Sequence, residues 1–282
     1  MNSNPTESIA NLKHGKVHYW TYNGSKKPTI LMIHGFRGTH HGLAKIAENL
    51  PDFRLIVPDL PGFGSSDAFN TAEHSVESYV SFVDEFIEKL QLKMPVVVGH
   101  SFGSIVASHF VAAHPLVAEK LILINPIGAP ALQGPRSAMT RLAIMYYWLG
   151  RKLPASAAKS WLAAPPIVKI MSVTMAKTKD KDVRRYIHDQ HKQHFSTFAS
   201  PTVVAESFKA SVSNDVSHIA SKLTLPTLLI AGSKDDVTSL DKQRQLHAAI
   251  PSSKLHVIQD VGHLIHYETP KEAALSIKEF LE

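Results

Sequence analysis

Short, nearly unbroken apolar runs recur along the chain at residues 29–33, 55–57, 96–98, 121–124 and 227–231, with turn-forming residues between them. Runs of this length and continuity suit parallel strands covered on both faces, whereas a half-exposed strand would alternate. Residues 17–22 do alternate and predict an early strand, and residues 255–258 follow the same rhythm more weakly. Helical patterns fill the gaps, at about 41–50, 75–91, 102–114, 240–250 and 270–281. Alternation of this kind predicts an α/β fold, with a mostly parallel central sheet flanked by helices.

The rhythm breaks between Asn125 and about Asp215. Residues 141–149 and 182–195 look helical there, with proline breaks at Pro154, Pro165, Pro166 and Pro201. The expectation is a core domain made of residues 1–125 and 215–282, with a helical cap inserted at 126–214.

Charge sharpens that division. The 282 residues carry a net +6, and residues 131–210 hold 13 basic and 4 acidic side chains, so +9, against −3 for the rest. The excess is local. It forms no long block of like charge, and basic residues lack interleaved aromatic stacking partners, so nucleic acid is not an expected partner. The absence of cysteine excludes a thiol nucleophile and any cysteine-ligated metal centre. No stretch reaches the roughly 18–20 apolar residues of a membrane span, and residues 1–20 hold no apolar run of signal-peptide length, so a cytoplasmic protein without stable membrane insertion is expected.

The chemistry centres on Gly99-His100-Ser101-Phe102-Gly103, which follows one predicted strand and opens one predicted helix. A G-x-S-x-G segment in that setting is a nucleophile elbow. The serine sits on a strained turn, and the flanking glycines let the turn approach the sheet. A serine hydroxyl needs a base, and the base needs an acid to orient it. Asp235 follows the 227–231 strand and His263 follows the last one, which provides the order Ser, Asp, His along the chain.

These residues resemble the α/β-hydrolase superfamily with a helical cap. Three further matches support it: His34-Gly35-Phe36 after an early strand, the turn Asp59, Gly62, Gly64 and Ser66, and the closing Gly262-His263 with Glu268 and Pro270. The resemblance implies that Ser101 is the nucleophile, His263 the general base and Asp235 its partner. The backbone N–H groups of Phe36 and Phe102 would form the oxyanion hole. Asp236 is the nearest competitor for the acid. Some relatives place the acid one strand earlier, where this chain has Asn125, and Asp260 is expected to brace the histidine loop. Relatives that dehalogenate or open epoxides use an aspartate at the elbow, so the serine points instead to acyl transfer without cofactor or metal.

Other residues admit two readings. Arg37, beside the oxyanion loop, fits either a contact to a substrate carboxylate or a solvated loop residue. His40 and His41 read as surface or helix-start residues. His188, His191 and His194 suggest a solvated basic helix more than a metal site. The apolar stretch holding Met139, Leu142, Ile144, Met145, Tyr146, Trp148 and Leu149 reads as a buried cap helix, of which Met145 and Trp148 would line an acyl pocket together with His100. A lipid-facing lid is a third reading of that stretch. The resulting expectation is a serine carboxylesterase for small to medium acyl esters, neutral or anionic, acting through an acyl-enzyme. The alternatives are a carbon–carbon bond hydrolase of a diketone acid and a low-turnover receptor of the same fold.

Overall fold

The computed structural model describes residues 4–131 and 137–282. Eight strands form a single sheet in the order β1-β2-β4-β3-β5-β6-β7-β8: β1 (Thr6–Leu12), β2 (Gly15–Tyr22), β3 (Thr29–Ile33), β4 (Arg54–Pro58), β5 (Val96–His100), β6 (Leu121–Ile124), β7 (Thr227–Gly232) and β8 (Ser253–Ile258). Only the pairings of β1 with β2 and of β2 with β4 are antiparallel. The mostly parallel sheet and its seven expected strands are therefore present, and β1 is an addition. It buries only Ala10 and carries no apolar signal of its own. Its strand character comes from the hairpin that pairs Leu12 with Gly15.

The continuous apolar strands serve two cores. On β3, Ile30 and Met32 face α1 (His40–Glu48) and α11 (Pro270–Leu281), where Leu43, Ile46, Ala273 and Ile277 complete the packing. Leu31 and Ile33 face the other way, toward α2 (Val76–Lys89) and α3 (Phe102–Ala113). Successive strand side chains point to opposite faces, so a sheet covered twice needs apolar residues at every position. Helix α2 buries Tyr79, Phe82, Val83 and Phe86, the spacing of one helical face, and the Ser75 hydroxyl caps it by accepting from the Ser78 N–H at 3.2 Å. Between β7 and β8 lies α9 (Leu240–Ala249).

Between β6 and β7 the chain builds α4 (Ser137–Lys152), α5 (Ala155–Leu162), α6 (Pro165–Met175), α7 (Lys181–His194) and α8 (Pro201–Ser213), then a 3₁₀ turn at Ser217–Lys222. The prolines expected as breaks are helix starts. Pro154 is the N-cap of α5, Pro165 and Pro166 open α6, and Pro201 opens α8 behind the Ser200 cap. Proline is favoured in a first turn because its missing N–H has no helical partner there. Among the described residues, no helix is long and apolar enough to cross a membrane.

Candidate active site

Ser101 stands between β5 and α3 with φ 53° and ψ −120°, a conformation that non-glycine residues adopt only under strain of roughly 1–3 kcal/mol. Its N–H donates to the Ile124 carbonyl at 3.1 Å, which anchors the turn to β6. A Cβ on Gly103 would collide with the Ile33 and His34 carbonyl oxygens, and one on Gly99 with the Gly103 backbone. Gly103 is thus demanded by the close approach of the elbow to β3, and Gly99 by the tight return of the first turn of α3 over β5.

His263 follows β8 and lies on the loop before α10 (Ile265–Glu268). Its Nε2 is 2.8 Å from the Ser101 Oγ, and its Nδ1 is 2.8 Å from the Asp235 Oδ2. A carboxylate can only accept, so Nδ1 carries the proton of that bond, and in this tautomer Nε2 is left to accept from the serine hydroxyl. Asp235 is 5% exposed. Burial alone would raise its carboxyl, but the His263 ring and the N–H groups of Val237 and Thr238 outweigh this and hold it below the usual carboxylate range. Asn125 also donates to the Asp235 Oδ2, at 2.9 Å, and to the Gly262 carbonyl. Asn125, at the end of β6, therefore supports the carboxylate of Asp235.

Neighbouring acids go elsewhere. Asp236 pairs with Lys177, which leads from α6 to α7. Asp260 meets Lys234 at the surface at 2.7 Å and its N–H donates to the Ser233 Oγ at 2.9 Å, which ties the loop before His263 to the one that carries Asp235.

The loop that carries Phe36 is built from the other side of the elbow. The His34 Nε2 accepts from the Leu60 N–H at 2.9 Å, and its Nδ1 donates to the Gly35 carbonyl at 2.8 Å. Asp59 accepts from the N–H groups of His40 and Ser65, and the Ser66 hydroxyl donates back to the Asp59 carbonyl. The Asp59–Ser66 turn thus braces the loop that carries Phe36. Phe102 is the first residue of α3, so its N–H has no acceptor within the helix.

A cavity of about 70 Å³ opens beside Ser101, its walls shared between core and insertion. Phe36, Arg37, His100 and His263 line it, together with Thr39, His266, Gln190, His191 and His194, which were not singled out as pocket residues. These five could not be gathered by spacing, since they come from three segments distant in the chain. Met145 and Trp148 are absent from it. They are 51% and 55% exposed on the outer side of α4, whose inner side packs Tyr147 against Phe36 and Phe208. The expectation of a wholly buried α4 is corrected with them; the side chain of Met139 falls outside the described residues.

Further corrections concern Arg37 and the histidines. Arg37 is 1% exposed, not solvated. Its Nε donates to the Phe195 carbonyl at 2.9 Å and its Nη2 to the Leu162 carbonyl at 3.0 Å, joining the core to the ends of α7 and α5. His40 does open α1, but it is buried against Trp20 and bonded to Asp59. Helix α7 is not simply solvated: His191 is buried, His194 stacks on His41, and the His188 Nδ1 meets the Ser172 hydroxyl at 2.6 Å. Three-residue steps drift around a helix, so these imidazoles diverge. Among the described residues, no group of three or more His, Asp or Glu is placed to hold a metal ion.

Fold and site together define the class, and sequence comparison agrees. The chain belongs to the alpha/beta hydrolase fold family, whose pattern matches residues 28–270. It is 24% identical to the uncharacterized hydrolase YugF of Bacillus subtilis over 279 residues, covering 94% of each chain. It is 25% identical to Lipase 3 of a Moraxella species over 259 residues, covering 89% of this chain and 76% of that one. Among solved structures, an esterase from Exiguobacterium antarcticum superposes with a TM-score of 0.79 at 19% identity, covering 98% and 99% of the two chains, a likeness of fold.

Proposed function

We propose that the chain is a cofactor-independent serine hydrolase, a carboxylesterase for small to medium acyl esters, with residues 126–214 as a cap over its site. The observation that carries this reading is the run of two 2.8 Å contacts from Ser101 through His263 to the buried Asp235, ending at the cavity. His263 takes the hydroxyl proton as Ser101 Oγ attacks the ester carbonyl. The N–H groups of Phe36 and Phe102 receive the developing oxyanion, where each such donor is worth ~10²–10³ in rate. His263 then protonates the departing alcohol, and water repeats the sequence on the acyl-enzyme to release the acid. The relatives described as a lipase and an esterase support ester substrates.

The test is a panel of p-nitrophenyl esters of graded chain length, with Ser101→Ala beside the wild type. Turnover should be greatest for short acyl chains and fall by roughly 10⁶-fold in the variant, as for removal of the nucleophile in a serine protease. A fluorophosphonate should label Ser101 alone. Wild-type rates in Ser101→Ala would move the nucleophile elsewhere. Binding without turnover of any ester would favour the receptor reading.

A further inference from the structure

The cavity beside Ser101 contains a charge that the fold leaves unneutralised. Arg37 is among the largest fully buried side chains of the protein. A guanidinium does not deprotonate in proteins, so burial cannot remove its charge. Two carbonyl oxygens accept from it, the Ser196 hydroxyl lies 3.4 Å from Nη2, and the rings of Phe195 and Phe198 face it at 4.3 and 5.3 Å. These contacts offset part of the desolvation. None carries a negative charge, and among the described residues no carboxylate stands within ion-pair distance of Arg37. Buried charges are normally paired, because an unpaired one is costly.

The remaining nitrogen, Nη1, has no hydrogen-bond partner in the protein. The same holds for the Oγ1 of Thr39, 3% exposed, and the Nδ1 of His266, 6% exposed. All three residues line the one cavity that also holds Ser101 and His263, and no Asp or Glu lines it. Three residues of this one lining therefore each hold a buried polar atom without a partner, one of them on a cation. A planar guanidinium is the side chain best matched to a carboxylate, and a threonine hydroxyl and an imidazole N–H can donate to the same oxygens.

We propose that this site hydrolyses esters that themselves carry a carboxylate, which Arg37 binds with help from Thr39 and His266. The proposal rests on the reading of Ser101 as the nucleophile. The small cavity suits a short spacer between the ester and the acid, which can lie on the acyl or the alcohol side. The outer cations Lys169, Lys179, Lys181, Arg184 and Arg185 surround a separate surface depression and do not line this cavity.

Two matched pairs test it, after spontaneous hydrolysis is subtracted. On the acyl side, p-nitrophenyl hydrogen glutarate is compared with p-nitrophenyl valerate; on the alcohol side, 4-acetoxybenzoate is compared with phenyl acetate. In one pair the acid should show kcat/KM at least tenfold above its neutral partner, and that pair identifies the side. The ratio should fall at least tenfold in Arg37→Gln and several-fold in Thr39→Val. Arg37→Gln also loses the contacts to Leu162 and Phe195, so Thr39→Val, which keeps them, guards against a folding defect.

A binding arm needs no turnover. Ser101→Ala protein is titrated calorimetrically with monomethyl glutarate and with dimethyl glutarate, and with 4-acetoxybenzoate and its methyl ester. The acid of one pair should bind at least tenfold more tightly than its neutral counterpart. Equal affinities and equal wild-type rates within both pairs would overturn the carboxylate subsite while leaving the esterase reading standing. Selective binding of an acid by a protein that hydrolyses no ester would do the reverse.

Discussion

Asp235 and Asp236 are adjacent acids on one loop, and what each side chain meets separates them. Asp235 is buried and accepts from His263, Asn125, Val237 and Thr238, while Asp236 reaches out to Lys177. Asp235→Asn should lower kcat by about 10⁴, because an amide at that position favours the wrong histidine tautomer, as in the serine protease template. Asp236→Asn should change kcat less than about tenfold, since a partly exposed ion pair contributes on the order of 1 kcal/mol or less. Steady-state kinetics of the two variants decides, and the reverse ranking would move the acid by one residue. Asn125→Leu removes one donor to a buried carboxylate, a bond worth about 1.5–3 kcal/mol, so kcat should fall roughly 10- to 100-fold. Unchanged kcat in that variant would leave Asn125 as a loop residue only. Ser101, Asp235 and His263 were legible because each sits at a strand end in a recognisable order. Asn125, Thr39 and His266 were not, because each is defined by partners or walls far away along the chain.

At the scale of elements, the elbow is the part where local sequence and tertiary packing agree most closely. Gly103 sits in the first turn of a helix, where its backbone freedom brings nothing, and it is kept for the space it leaves. Gly103→Ala should therefore destabilise the fold by several kcal/mol, because the clash is with the β3 backbone carbonyls and no side-chain rotation relieves it. Urea denaturation would show it, and a midpoint within error of the wild type would mean that β3 and α3 can separate freely. The insertion was less legible. Its helices α5, α6 and α8 start at prolines that resemble breaks until the chain is seen resuming as a helix on their far side. The apolar length of α4 reads as burial, yet while Tyr147 packs on Phe208 and Phe36 and Tyr146 on Trp161, Leu142, Met145 and Trp148 stay exposed.

Across the whole molecule, buried imidazoles come from core and insertion alike. Burial pushes His74 down to about 4, His100 to about 3 and His191 to about 4, with neighbouring positive groups adding to the shift for His100 and His191. The native state thus resists protonation that the unfolded chain accepts below its ordinary value near 6.5. The unfolded state then binds more protons, and stability falls as pH drops from about 6.5 toward these lowered values. At pH 5 each such group costs about 2 kcal/mol. The depressed carboxyls of Asp59 and Asp235 act in the same direction, but only at still lower pH. The free energy of urea unfolding should therefore be flat above pH 7 and drop by several kcal/mol by pH 5; equal values at pH 7 and pH 5 would refute the burial of these rings.

The doubly covered sheet, the elbow and the order of serine, acid and base were determined by the sequence alone, because each depends on spacing within one strand, turn or helix. Tertiary structure alone decided which side chains form the cavity. Arg37 shows why. Its neighbours in the chain mark it as a loop residue, equally suited to solvent or substrate. Only the return of the insertion, which brings the carbonyls of Leu162 and Phe195 and two aromatic rings over it, buries the charge and faces it to the space beside Ser101. Desolvation is a property of what surrounds a group in space, and residues more than a hundred positions away supply it.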